Sequence, residues 1–145
     1  MKRKIIISLI LVFVIALCFV STASASEMAI RASEYLNEYG AYVYPEGSGE
    51  ISIWFEVQGT GTMDEIGVLS IRLQEKSSTS STWTYVQSYS HVDYPDLLGN
   101  NTSFYSSGVY YSGKTGYSYR AEVTVWAGKN GNGDSRVIIT DAVSA

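Results

Sequence analysis

The chain has 145 residues, a formal net charge of −4, one cysteine, one histidine and two prolines. A single cysteine excludes a disulfide scaffold and a cysteine-ligated zinc site, and the acidic balance argues against a protein that tracks nucleic-acid phosphates. Any serine-type triad would have to use His91 as its base.

The first element is a leader. Lys2, Arg3 and Lys4 form a positive n-region, and Ile5 to Val20 is almost continuous hydrocarbon. Ala23-Ser24-Ala25 then supplies the small residues that signal peptidase requires. An uncleaved anchor would fit the length of the apolar run but has no use for the polar, small-residue exit. A lipoprotein would use Cys18, and Leu17 before it is too bulky for such a site. No second apolar stretch follows and no sorting motif closes the C-terminus, so the expectation is a freely secreted protein beginning near Ser26. Cleavage removes the only cysteine and three cations. It leaves about 120 residues, within the ~100–150 usual for one domain, and a net charge of about −7. Such a chain must fold on core packing alone.

Met28 to Leu36 is ambiguous between a short helix and a remnant of the leader, and Tyr39 to Tyr44 reads as a first strand. Glu50 to Gln58 alternates cleanly, with Ile51, Ile53, Phe55 and Val57 on one face and Ser52, Trp54, Glu56 and Gln58 on the other. The loop Gly59-Thr60-Gly61-Thr62 should end it. Thr62-Met63-Asp64-Glu65 matches a capping box, predicting one helical turn that Gly67 stops. Val68 to Glu75 is the next strand, with Leu69, Ile71 and Leu73 inward, and the Ser/Thr tract from Lys76 to Thr82 is a turn. Trp83 to Tyr89 is a further strand, and Ser90 to Asn101, with Pro95, is a long irregular connection. Ser103 to Tyr111 is a weak strand. Tyr117 to Ala127 is the clearest, with Tyr119, Ala121, Val123, Val125 and Ala127 inward and Arg120, Glu122, Thr124 and Trp126 outward. Asn130-Gly131-Asn132-Gly133 is a tight turn, and Ser135 to Thr140 returns as its hairpin partner.

Seven short strands separated by turns predict an all-β, antiparallel β-sandwich over 39–145, preceded by a helical signal peptide at 1–25 and a leader segment at 26–38. The run Gly116-Tyr117-Ser118-Tyr119-Arg120-Ala121-Glu122-Val123-Thr124-Val125 resembles the F strand of fibronectin type III domains. There a Gly three residues before a Tyr opens an alternating run. The resemblance implies an immunoglobulin-like topology and makes Tyr119 the corner tyrosine, its hydroxyl bonded to backbone a few residues upstream. The chain departs from that family where the second strand usually supplies an inward Trp: Phe55 holds the position and Trp54 points out. The chain also resembles an uncharacterised family of small secreted clostridial proteins, at Ile51 to Phe55, Gly59 to Gly67 and Asp134-Ser135-Arg136. That resemblance implies a Gram-positive source and no particular activity.

Few residues are of a type that carries chemistry. His91 has Asp93 and Asp96 in its own loop, but Gly-x-Ser-x-Gly is absent and a solvent-exposed loop histidine accounts for it. Asn130, Asn132 and Asp134 have the i, i+2, i+4 spacing of calcium loops, yet hairpin chemistry explains them and only one is charged. Asp64 and Glu65 are adjacent carboxylates already used by the capping box. No catalytic residue, metal or cofactor is expected. The remaining candidate is aromatic. Trp126 should lie on the outer face of the sheet formed by the third, fourth, sixth and seventh strands, and Trp83, Tyr85 and Tyr89 share one face of the fourth. If that face is outward, an aromatic stripe meets solvent; if inward, these residues are core, the packing role being favoured, and a one-residue register change decides. The expectation is a secreted, non-enzymatic sandwich that binds an extracellular glycan or protein surface through Trp126, Trp83 and Tyr85. Its alternatives are an envelope-assembly protein using edge-strand pairing and a hydrolase using His91. Neither nucleic acid nor, after cleavage, a membrane is expected as a partner.

Overall fold

A computed structural model describes residues 33–145, so the expected signal peptide and most of the leader segment lie outside the described residues. Those described form seven antiparallel strands and one 3₁₀ turn. They are β1 (Leu36–Gly47), β2 (Glu50–Ser77), β3 (Thr84–Ser90), β4 (Leu98–Ser112), β5 (Tyr117–Lys129), β6 (Asn132–Ile139) and β7 (Val143–Ser144), with the 3₁₀ turn at Pro95–Leu97. The all-β class holds. β1 begins at Leu36, inside the segment expected to be leader remnant.

The architecture turns on β2, a single 28-residue strand where two strands joined by a capped turn were expected. Its first part, from Glu50, lies between β1 and β4, and its second part, to Ser77, lies between β5 and β3. β6 pairs with the far side of β5, and β7 with its start. The two halves close over one core. Ile51, Ile53, Phe55 and Val57 from the first half meet Ile71, Leu73, Ala121, Val123 and Val125 from the second, all within 1 % of full burial. Each of these valine, leucine, isoleucine and phenylalanine side chains contributes roughly 1.5–3 kcal/mol by leaving water, and no disulfide within the described residues adds to that.

Two corrections concern the middle of β2. The Thr62–Glu65 box forms no helical turn: Met63, Glu65 and Ile66 pair with β4, and Glu65 and Ile66 also pair with β5. A one-turn helix offers few hydrogen bonds, so strand pairing on both sides overrides the local signal. Leu69 is not inward either. A register shift between Val68 and Ser70 makes it the extra residue of a bulge, and Val68 takes the buried place. Gly67 sits at this crossing with φ 144, and a Cβ there would collide with the Leu97 carbonyl of the 3₁₀ turn.

Both tight hairpins have two central residues of positive φ, Ser48 and Gly49 between β1 and β2 and Asn130 and Gly131 between β5 and β6, and Gly47 before the first turn has positive φ as well. Two such central residues are the type I′ pattern, whose twist matches the strands it joins. β4 starts at Leu98, earlier than the expected irregular connection allows.

Candidate functional site

Tyr119 is fully buried, and its hydroxyl accepts the Lys114 amide at 2.8 Å, five residues upstream. The same hydroxyl donates to Glu75 Oε2 at 3.2 Å, and Glu75 Oε1 holds Lys114 Nζ at 2.8 Å. Burial raises the Tyr119 pKa, opposed by the Lys114 amide and reinforced by Glu75. This cluster joins β5, β2 and the β4–β5 turn and is structural.

The aromatics expected to form one stripe are divided. Tyr89 is buried opposite Ile71, whereas Tyr85 pairs with Gln74 and is exposed. A register shift between Leu73 and Gln74 inserts Val86 as an extra residue of β3, so Tyr85 and Tyr89 point to opposite faces. Tyr85 and Trp83 do lie on the outer face of the second half, but cations cover them. The Arg72 guanidinium sits 3.9 Å from the Tyr85 ring centre, and the Tyr85 hydroxyl donates to Glu122. Trp83 holds Arg120 at 4.4 Å and Lys76 at 4.9 Å. Trp126 is half-buried, its indole resting on Gly128 and Gly133. It lies four residues along β5 from Glu122, about 13 Å at the rise of a strand. Its Nε1 is buried without a partner. Trp126, Trp83 and Tyr85 therefore share a sheet face without forming one surface.

The outer face of the first half carries a continuous aromatic surface that sequence reading missed. Tyr42 pairs with Trp54 and Trp54 with Gly108; in the next row, Tyr44, Ser52 and Tyr110 stand side by side. Tyr42, Tyr44, Trp54 and Tyr110 are 43 %, 49 %, 39 % and 67 % exposed. Tyr42 and Tyr44 stack with ring centres 6.2 Å apart. A Cβ on Gly108 would fall 2.8 Å from Trp54 Cδ2 and 3.1 Å from Cε2, so the indole lies across the glycine with its other face to solvent. Gly40 makes room for the Tyr42 ring in the same way. Tyr42 donates its hydroxyl to Glu56 Oε1 at 3.0 Å, and that bond is the main cause of its raised pKa. An open depression of about 450 Å³ is lined by Tyr42, Tyr44, Trp54, Glu56 and Ser106. Ring faces beside a carboxylate can stack on a flat apolar ligand surface and accept its hydroxyl or ammonium protons.

The other sequence candidates have structural employment. His91 Nδ1 lies 3.1 Å from the Leu69 carbonyl, and its amide donates to the same oxygen at 3.0 Å. Asp134 accepts the Ser33 hydroxyl at 2.6 Å and the Glu34 and Tyr35 amides at 2.9 and 3.1 Å, tying the incoming segment to the β5–β6 hairpin. Those bonds, the Ser33 hydroxyl foremost, lower its pKa. Asp64 accepts the Asn130 amide at 2.7 Å. Among the described residues no group of three or more His, Cys, Asp or Glu side chains could hold a metal ion.

No family model matches the chain. No curated protein matches it. Among solved structures it is similar to a protein from Archaeoglobus fulgidus at 8 % identity and a TM-score of 0.34, over 76 % of this chain and 97 % of that one, a likeness too distant to carry an argument.

Proposed function

We propose that the protein is a secreted, non-enzymatic β-sandwich that binds an extracellular glycan through Tyr42, Tyr44 and Trp54. The observation that carries this reading is the row of exposed rings beside Glu56, with at least one bare face on Trp54. Pyranose rings present flat C–H surfaces that such rings cover. The leader, with its basic start and Ala23-Ser24-Ala25 exit, supports export. The fibronectin-type topology draws support from β1-β2-β4 against β3-β2-β5-β6 and from the Tyr119 bond to Lys114. Ile51 to Phe55, Gly59 to Gly67 and Asp134-Ser135-Arg136 support affiliation with the small secreted clostridial proteins.

Retention on a panel of insoluble polysaccharides tests the reading. Trp54→Ala should weaken binding about tenfold or more, while Trp83→Ala and Trp126→Ala leave it nearly unchanged. A loss confined to the Trp83 and Trp126 variants would move the site to the second half. No retention of the unmutated protein on any glycan would sink it.

Assembly through edge strands has an observation of its own. Among the described residues β6 pairs only with β5, and its Val137 and Ile139 are 62 % and 61 % exposed. Under that reading light scattering rises with concentration and Val137→Lys abolishes the rise. A monomer at every concentration removes it.

A further inference from the structure

Charge is divided between the two halves of this sandwich. β1, β4 and residues 50–71 of β2 contain Glu38, Glu46, Glu50, Glu56, Asp64 and Glu65 and not one lysine or arginine. The cations of the described chain are Arg72, Lys76, Lys114, Arg120, Lys129 and Arg136. Four of these six lie over an aromatic ring, covering Tyr85, Trp83 and Tyr117. Of these three rings, Tyr85 is exposed and Trp83 and Tyr117 are half-buried. Tyr42, Tyr44 and Trp54 receive none, and they border Glu56, of which only Oε1 is engaged by Tyr42, and Glu46, which accepts the Ser52 hydroxyl.

A ring face attracts a cation through its quadrupole, and a neighbouring carboxylate adds to the attraction. The same carboxylates repel uronate, sulfate or phosphate groups on a glycan. From this charge complementarity we infer that the glycan bound at Tyr42, Tyr44 and Trp54 carries protonated amino sugars, its hexosamine units being N-deacetylated. The ammonium sits against the tyrosine and indole rings beside Glu56, and the pyranose ring lies over Trp54. This inference rests on the glycan-binding reading and narrows it to one ligand charge.

Calorimetric titration with short, soluble oligomers of glucosamine, of N-acetylglucosamine, of neutral β-glucose and of galacturonate tests it. N-acetylation removes the charge and keeps the sugar backbone, so the first two ligands isolate the ammonium. The expected result is about tenfold tighter binding of the glucosamine oligomer than of its acetylated form, and no binding of galacturonate. Glu56→Gln should shrink that preference to twofold or less while retaining binding of the acetylated oligomer, and Trp54→Ala should abolish both. Equal affinity for the acetylated and free oligomers, or a preference for galacturonate, overturns the charge inference and leaves glycan binding standing. A preference for glucosamine that survives Trp54→Ala marks adsorption of a polycation to an acidic protein and also overturns it. No binding of any oligomer removes both readings.

Discussion

Single residues carry two different kinds of information in this chain. Tyr119 is defined by its surroundings: buried between the halves, it can satisfy its hydroxyl only through the Lys114 amide and Glu75. Tyr119→Phe keeps the ring and strands that amide, so it should cost about 1–3 kcal/mol, measured by denaturant unfolding. The motif around Gly116 made this residue legible, since its opening glycine has φ 81 and leads into strict alternation. The ring faces of Tyr42 and Trp54 were not legible. Alternation places Trp54 outward, but whether a cation covers an exposed ring depends on which strands lie beside it. Trp83 and Trp54 look alike in sequence and differ because Arg120 and Lys76 reach only the former.

Strands supply the next level, and there the reading of faces succeeded within runs and failed between them. Period-two alternation assigns sides correctly from Ile51 to Val57 and from Tyr119 to Ala127, because each run is a regular half-buried strand. Bulges reset the phase. The shift between Pro45 and Gly47 makes Glu46 the extra residue of β1, which sets Tyr42 beside Trp54 rather than beside Phe55. Val86 does the same in β3 and separates Tyr85 from Tyr89. A bulge is one residue with no compositional mark, so period alone cannot find it. The incoming segment before β1 is held by the bonds from Ser33, Glu34 and Tyr35 to Asp134. They depress the folded-state pKa of that carboxyl below its ordinary 3.8. The stabilisation is therefore complete above the unfolded value and is lost as pH falls through the lower, folded one. Melting curves across pH should show Asp134→Asn less stable than the unmutated protein near neutrality. The gap should narrow below about pH 3.8 and close at lower pH.

At the scale of the whole molecule, the two halves are one hydrogen-bonded sheet folded about β2, and Gly67 marks where β4, β5 and the 3₁₀ turn converge on that strand. Gly67→Ala combines a left-handed backbone with a collision against the Leu97 carbonyl. It should cost more than about 2 kcal/mol, seen as a fall in melting temperature of roughly 8 °C or more. The sequence by itself determined the all-β class, the two clearest strands, the Asn130-Gly131 turn and the absence of cysteine from residues 33–145. These rest on composition, alternation and turn chemistry, which are local and survive without knowledge of any partner. Tertiary structure alone decided that Thr62 to Glu65 is strand, that Trp126, Trp83 and Tyr85 share no single surface, and that the bare rings stand on the acidic half. Each depends on which strand lies opposite and in what register, and registers shifted by one residue at bulges are set by packing across the core.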